Sequence, residues 1–175
     1  MLNHYNKLLR TDCAVVEIGE HTVYPIFKVG SNTLMAAADR IHINRDIRNC
    51  HDITVLIRDP AERFISGLNE HCQQNNLDIT HAWEMVDRGQ LVDRHFAPQY
   101  LWLMNLYRFY KGTVTLRSFD HIKKITNKHN GKALTEKIQV PVISSFVNVD
   151  YLLMKHIDQT VLLRRLIEDH RHALS

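Results

Sequence analysis

The fold class is indicated by one segment of the sequence, Thr22-Val-Tyr-Pro-Ile-Phe-Lys-Val-Gly-Ser-Asn-Thr-Leu34. Its first part, Thr22–Phe27, is rich in β-branched and aromatic residues and predicts a strand, with Pro25 indicating an edge or a bulge. A turn of small polar residues follows at Lys28–Thr33, and Leu34–Arg40 then holds strong helix formers. A strand, a tight loop and a helix in succession are the beginning of an α/β unit.

A second strand and helix follow downstream. Ile53–Ile57 is an apolar run of strand length, as expected for a buried parallel strand. Asp59 is a good helix cap and Pro60 suits a first helical turn, which predicts a helix to about Cys72. The later segments predict helices at His81–Arg88, Pro98–Tyr110, Phe119–Lys128 and Tyr151–His172, a strand at Thr113–Leu116, and a loop with some extended structure at Val140–Val149.

Strands that alternate with helices predict an α/β fold with a central parallel sheet flanked by helices. The sequence contains no linker and no repeat, so residues 1–175 are expected to form a single domain. Ligands of such sheets bind beyond the carboxyl ends of the strands. The two candidate ends are Lys28–Thr33 and Arg58–Asp59.

The first of these ends has the composition of an anion site. Backbone N–H groups at the start of a helix are unpaired and can bind a phosphate. The segment adds a mobile charge, a flexible glycine, two hydroxyls and an amide, from Lys28, Gly30, Ser31, Thr33 and Asn32. Because the lysine precedes the glycine, this is not a Walker A loop. An ordinary strand-to-helix turn with a solvated lysine is the alternative.

The second end is the most specific stretch of the chain, Val55-Leu-Ile-Arg-Asp-Pro-Ala-Glu-Arg-Phe-Ile-Ser-Gly67. Arg58 lies at the end of an apolar strand, where an unpaired charge is costly and needs a partner. Ser66 follows on the predicted helix, so a guanidinium and a hydroxyl can converge on one phosphate. The alternative is a capped helix with a structural salt bridge.

Together, the two segments resemble the sulfotransferase family that uses 3′-phosphoadenosine 5′-phosphosulfate (PAPS) as its sulfuryl donor. The similarity is greatest to the carbohydrate branch, which includes the heparan sulfate 2-O-sulfotransferases and the chondroitin-type enzymes. Four segments of the chain occur in the order that the family has them, namely Phe27–Leu34, Leu56–Gly67, His95–Gln99 and Thr115–Ile122.

The resemblance implies a P-loop-like three-layer sandwich and a set of binding residues. It implies that the 5′-phosphosulfate is held by the loop residues Lys28, Val29, Gly30, Ser31, Asn32 and Thr33. It assigns the 3′-phosphate to Arg58 and Ser66. The reaction implied is transfer to an acceptor hydroxyl without a metal ion. A carbohydrate is the favoured acceptor, while protein tyrosine, lipid and small metabolites stay open. Lys28 would stabilise the charge that develops on the leaving 5′-phosphate.

Such a transfer also needs a general base within reach of the acceptor hydroxyl. The chain has 12 histidines. His42 is the first candidate because it lies between the first helix and the strand at Ile53, where the heparan sulfate 2-O-enzymes carry a catalytic histidine. His95 is the second candidate because it belongs to a matched segment. The further alternatives are Asp39, Asp46, His71 and His51.

The overall composition argues against several other classes of protein. With 22 Lys+Arg against 19 Asp+Glu, a net charge of +3 and no basic run, the chain does not have the character of a nucleic-acid binder. No apolar stretch has the length of a signal peptide or a membrane span, which predicts a cytoplasmic protein without a membrane partner. Cys13, Cys50 and Cys72 are odd in number and widely spaced, so neither a disulfide framework nor a zinc site is expected.

Two other functions stay open at this point. A nucleotide-dependent kinase shares the strand-loop-helix geometry, although the missing Walker lysine argues against it. The other alternative is a catalytically inactive module that keeps the nucleotide site and works as a binding protein. The sequence also leaves a homo-oligomer open.

Overall fold

The computed structural model describes residues 12–127, 150–161 and 165–166. Within these residues the chain is an α/β fold, with helices flanking a mixed sheet of six strands. The strands are β1 (Ala14–Ile18), β2 (His21–Tyr24), β3 (Arg40–Ile43), β4 (Ile53–Ile57), β5 (Val114–Ser118) and β6 (Thr160–Val161). The helices are α1 (Ser31–Ala36), α2 (Pro60–Asn75), α3 (Ile79–Asp87), α4 (Gln99–Phe109) and α5 (Ile122–Thr126), with 3-10 turns at Asn44–Asn49 and Phe119–His121.

The sheet has the strand order β3-β1-β2-β4-β5-β6. Its centre is parallel, because β2 pairs in parallel with β4, and β4 with β5. The outer pairings are antiparallel, since β1 opposes both β2 and β3 and β6 opposes β5. The expected parallel sheet is therefore correct for the three central strands and wrong for the edges.

The strands β1 and β3, at one side of the sheet, were not predicted, and both arise from local turns. Gly19 has φ 57, a left-handed conformation that favours glycine, and it turns β1 back into β2. Helix α1 ends at Ala36 instead of reaching Arg40. The reason is that Asp39 joins the sheet: its N–H donates to the Glu17 carbonyl at 2.8 Å, and its carboxylate accepts the Gly19 N–H at 2.7 Å.

The helix predicted after β4 is confirmed. Asp59 accepts a hydrogen bond from the Glu62 N–H at 3.0 Å, and Pro60 is the first residue of α2. Gly67 on this helix faces the segment that precedes α4, and a Cβ at this position would collide with the His95 carbonyl. The glycine therefore allows the chain around His95 to lie directly against α2. The helices predicted near His81–Arg88 and Pro98–Tyr110 are confirmed as α3 and α4.

The C-terminal predictions are only partly correct. The strand expected at Thr113–Leu116 is present as β5, and the helix expected at Phe119–Lys128 is a 3-10 turn followed by the short α5. The long helix predicted for Tyr151–His172 is wrong in the described part, where only residues 150–154 and 165–166 are helical. At φ 64, Asp158 donates its N–H to the Leu116 carbonyl at 2.8 Å and leads the chain into β6. The segment Val140–Val149 lies outside the described residues.

Strand β4 is the centre of the core. Its residues Ile53, Val55, Leu56 and Ile57 are each at most 1% exposed, as expected for a parallel strand covered on both faces. The next residue, Arg58, therefore directly follows a strand whose apolar residues are fully buried. None of the helices in the described part of the chain combines the length and the apolarity needed to span a bilayer.

The start of α4 is closed by a buried carboxylate. Asp150 accepts hydrogen bonds from the N–H groups of Gln99 at 2.7 Å and Tyr100 at 2.9 Å. Burial raises the pKa of Asp150 to about 6, although these hydrogen bonds and the charge of Arg63 act in the opposite direction. The acid is thus easier to protonate in the folded chain than in the unfolded one.

This shift predicts a pH dependence of stability. Because the pKa of Asp150 in the folded chain lies above the ordinary aspartate value of 3.8, its contribution to stability is complete below pH 4 and is lost as the pH rises through 6. We expect the loss to reach about 3 kcal/mol in the free energy of unfolding. Urea titrations of the wild type and of Asp150→Asn, between pH 4 and pH 7, measure it. A difference between the two proteins that stays constant over this range would contradict the assignment.

Candidate functional site

The loop after β2 has the strained backbone that a tight anion-binding turn requires. Lys28 and Gly30 both adopt left-handed conformations, with φ 64 and φ 72. Between them Val29 is buried, and its N–H donates to the Ile26 carbonyl at 3.1 Å. No side chain caps the helix that begins at Ser31. The lysine and the glycine therefore turn the chain sharply into the helix.

Arg58 lies beside this loop. Strands β2 and β4 are parallel neighbours, so the residues that follow them leave the sheet at the same edge. The Nη1 group of Arg58 donates to the Lys28 carbonyl at 3.2 Å, and the guanidinium lies 5.5 Å from the Phe119 ring centroid. The sequence analysis expected these two strand ends to lie close together, and the structure places them in direct contact.

Only some of the hydrogen-bond donors of the Arg58 side chain have an acceptor among the described residues. It is 14% exposed, and Nε lies 3.7 Å from the nearer carboxylate oxygen of Glu62. This distance is too long for a hydrogen bond, and the buried Nε has no hydrogen-bond partner among the described residues. A buried guanidinium N–H without an acceptor is costly, so the position fits an anion that brings an oxygen to it.

The segment His95–Gln99 holds the ends of both β2 and β4 in place. The Gln99 amide pairs with the backbone of Arg58: Oε1 accepts its N–H at 3.0 Å, and Nε2 donates to its carbonyl at 2.9 Å. Arg63 of α2, which is 1% exposed, donates to the carbonyls of Phe27 at 2.9 Å and of Ala97. These bonds fix the loop after β2, the end of β4 and the segment before α4 as one unit.

Ser66 lies on the face of α2 that is turned toward these groups. Residues four apart on a helix share a face, which aligns Glu62, Ser66 and Glu70 in one row. Glu62 lies near Arg58, and Glu70 forms an ion pair with Lys28. Ser66 is half-buried between them. The helical spacing thus puts Ser66 between Glu62 and Glu70, the two acidic residues that approach Arg58 and Lys28.

A cluster of ionisable side chains surrounds Lys28. Its Nζ pairs with Oε2 of Glu70, while Oε1 of the same carboxylate lies 3.8 Å from Nε2 of His95. The other ring nitrogen of His95, Nδ1, bonds to Asp93 at 2.5 Å, and Nδ1 of His71 lies 3.2 Å from the second oxygen of Asp93. Lys28 and His95, which the sequence analysis named separately, are therefore brought to one carboxylate.

Asp93 orients His95. Burial acts to raise the pKa of Asp93, but the hydrogen bonds from the His95 backbone and ring, together with the charges of His95 and His71, lower it overall. The carboxylate is consequently ionised at neutral pH, and it accepts a hydrogen bond from Nδ1–H of His95. This fixes the tautomer in which Nε2 is the free nitrogen, and Nε2 is on the side of Glu70.

His42 is not brought to the loop. It lies on β3, and β1 separates β3 from β2. Its Nε2 bonds to Glu17 of β1 at 2.7 Å. Neighbouring strands are about 4.8 Å apart, so the strand that carries His42 is about 10 Å from β2. The alternatives Asp39 and Asp46 lie at the two ends of β3, and Asp39 is bonded to Gly19.

The chain contains two Cys–His neighbours, Cys50-His51 and His71-Cys72, whose side chains are of the types that ligate zinc. Cys13, Cys50 and Cys72 are all free thiols. His71 is bonded to Asp93, and the backbone carbonyl of His51 accepts from the Tyr110 hydroxyl. Over the described ranges, no group of three or more His, Cys, Asp or Glu side chains is placed to hold a metal ion.

Glu70 and Asp93 are the members of the site that the sequence analysis missed. A signal for Glu70 was available, because it follows Ser66 by four residues on a predicted helix and must share its face. Asp93 carried no such signal, since it lies in an irregular segment between two helices.

Comparisons of the chain with protein-family models, with curated proteins and with solved structures found no match in any of the three.

Proposed function

We propose that the protein transfers a sulfuryl group from PAPS to an acceptor hydroxyl, with a carbohydrate as the favoured acceptor. The observation that carries the proposal is the direct contact between Arg58 and the Lys28 loop at the ends of two neighbouring parallel strands. A donor with phosphates at both ends of one nucleoside needs two separate cationic positions on one edge of a sheet. The P-loop-like three-layer arrangement belongs to the same proposal.

The donor would be bound by the residues that meet at this edge. The 5′-phosphosulfate is assigned to the loop from Lys28 to Thr33, where backbone N–H groups, two hydroxyls and an ammonium group converge. The 3′-phosphate is assigned to Arg58 and Ser66. In support of this, the buried Nε of Arg58 needs an acceptor, and Ser66 lies on the adjacent face of α2.

The chemistry follows from the positions of Lys28 and His95. The acceptor oxygen attacks sulfur as the bond between sulfur and the bridging oxygen breaks, and adenosine 3′,5′-bisphosphate leaves. Negative charge develops on the 5′-phosphate, where Lys28 stabilises it. The proton of the acceptor hydroxyl passes to Nε2 of His95, while Asp93 holds Nδ1.

We take His95 as the base in place of His42, because His95 shares a carboxylate with Lys28 and His42 lies across β1. A general base has to reach the hydroxyl that attacks the donor, and the donor is assigned to the Lys28 loop. The sequence alone favoured His42 from its place between the first helix and β4. That interval contains β3, which is an edge strand.

Arg58→Ala is expected to weaken the binding of adenosine 3′,5′-bisphosphate by roughly 10- to 100-fold, the range of charged hydrogen bonds. The backbone bonds to Gln99 stay in place, so the strand end should remain folded. Isothermal titration calorimetry measures the affinity. Arg48→Ala, at an exposed arginine of the first 3-10 turn, is the matched control. Binding of Arg58→Ala at wild-type affinity would show that the phosphate assignment is wrong.

The proposal as a whole is tested with the purified chain and sulfur-labelled PAPS. Transfer to one of a panel of sugars, tyrosine peptides, lipids and phenols supports it. Tight binding of adenosine 3′,5′-bisphosphate with no transfer to any acceptor favours the inactive binding module. Magnesium-dependent phosphoryl transfer from ATP favours the kinase.

A further inference from the structure

The lysine assigned to the proposed donor, Lys28, already forms an ion pair with a carboxylate of the same chain. Glu70 of α2 binds Lys28 through Oε2, and its Oε1 accepts from Nε2 of Gln74 at 3.3 Å. The same Oε1 lies 3.8 Å from Nε2 of His95. Glu70 is therefore situated between the two side chains to which the proposed function gives chemical roles. It is 31% exposed, so it can leave Lys28 at modest cost.

A phosphosulfate and Glu70 cannot share Lys28 without repulsion. Both are anions, and like charges within a few ångströms of each other destabilise a site. When the donor arrives, the carboxylate has to move or be neutralised. The ionisable groups around it are Lys28 on the loop and His95 with its partner Asp93 on the segment before α4. Of these, only His95 can receive a carboxylate that leaves the lysine.

We infer that Glu70 holds Lys28 until the phosphosulfate replaces it, and that the released carboxylate then supports positive charge on His95. The inference rests on the proposed function. Before donor binding, Glu70 neutralises Lys28, so a weakly charged anion gains little at the loop. After donor binding, Glu70 stabilises the imidazolium that forms when the acceptor proton reaches Nε2. Glu70 is thus a positioning residue that couples donor binding to activation of the base.

The variant Glu70→Gln separates these two effects. Inorganic pyrophosphate, which like a phosphosulfate joins two anionic tetrahedral groups through a bridging oxygen but lacks a nucleoside, should bind about fivefold more tightly because its competitor is gone. The KM for PAPS should fall for the same reason. The turnover number should fall about fivefold, because the imidazolium loses its support. General structural damage would weaken binding as well as turnover. Glu84→Gln, at an exposed residue of α3, is the control for the change in net charge.

A second measurement does not depend on the reaction. Acetic anhydride should modify the Lys28 amine faster in Glu70→Gln than in the wild type, and mass spectrometry of peptides reports the rate. Thermal unfolding accompanies both assays, and Glu70→Ala replaces Glu70→Gln should that variant unfold. Equal or weaker pyrophosphate binding, or an unchanged modification rate, overturns the inference. A wild type that binds pyrophosphate and shows the expected labelling, yet never transfers a sulfuryl group, refutes the proposed function alone.

Discussion

His95→Ala is expected to lower the turnover number of sulfuryl transfer by about 10³-fold, within the range for general base catalysis. The affinity for adenosine 3′,5′-bisphosphate should stay the same, because the 3′-phosphate is assigned to Arg58 and Ser66 and not to His95. The physical reason is the orientation of the ring. Asp93 binds Nδ1 at 2.5 Å, which leaves Nε2 directed at the cluster around Lys28.

The matched control is His42→Ala. His42 is also a half-buried histidine bonded to a carboxylate, since its Nε2 lies 2.7 Å from Glu17, so its loss perturbs the protein in a comparable way. We expect its turnover to stay within about twofold of the wild type, as for a histidine outside the reaction path. Steady-state kinetics with saturating PAPS measure both variants. Loss of transfer in His42→Ala with activity kept in His95→Ala would reverse the assignment and return the base to β3.

A variant that keeps the hydrogen bond to Asp93 tests whether the loss of turnover in His95→Ala comes from a disturbed structure instead of a missing base. Gln at position 95 can donate to Asp93 but cannot accept the proton of a hydroxyl. His95→Gln should therefore fold like the wild type in thermal unfolding and lose as much turnover as His95→Ala. Recovery of activity in His95→Gln would show that His95 only maintains the shape of the segment before α4.

The ends of β2 and β4 were predictable because each is encoded locally. β4 is a short apolar run, and β2 lies in a stretch rich in β-branched and aromatic residues; each is followed by residues that turn the chain or begin a helix. The start of α2 followed from two adjacent residues, the cap at Asp59 and the first-turn Pro60. That the ends of β2 and β4 meet follows from parallel pairing, so the contact of Arg58 with the Lys28 carbonyl could be anticipated from the order of elements.

The edges of the sheet were not predictable in the same way. β3 is only four residues long. Its polar and apolar residues alternate over Arg40–Ile43, but both isoleucines are exposed, so burial in the core does not hold the strand in place. Its position is decided by bonds to β1, including the N–H of Asp39 on the Glu17 carbonyl. β6 likewise depends on pairing with β5, and the helical spacing of apolar residues after Tyr151 suggested a helix instead. Long-range pairing outweighed local preference in both places.

The cluster around Lys28 shows the same limit at the level of single side chains. Glu70 follows Ser66 by one helical turn and was within reach of a periodicity argument. The approach of His95 required Gly67, where any side chain would meet the His95 carbonyl, and no pattern in the sequence announces such a contact. Residues on one helix could be related to each other from the sequence, but residues on a loop opposite that helix could not.

Lys28→Ala is expected to lower the turnover number by roughly 10²- to 10³-fold, which is the usual effect of removing one group that stabilises charge in a transition state. The charge in question develops on the bridging oxygen of the 5′-phosphate as the bond to sulfur breaks. Affinity for adenosine 3′,5′-bisphosphate should fall much less, because Arg58 and the loop N–H groups still bind it. A fall in kcat that exceeds the loss of affinity is the signature of a group that acts mainly in the transition state.

Two structural features indicate that Lys28→Ala will leave the fold intact. Lys28 has φ 64, and alanine carries the same Cβ, so the strain of the left-handed backbone is unchanged. Glu70 loses its partner but is 31% exposed and can be hydrated, so stability should change by less than about 1 kcal/mol. Lys123→Ala, at an exposed lysine of α5, is the control. Turnover by Lys28→Ala at the wild-type rate would mean that the leaving phosphate is stabilised elsewhere. The part of this turn in the chemistry would then be limited to its backbone N–H groups and hydroxyls, because Lys28 is its only cationic side chain.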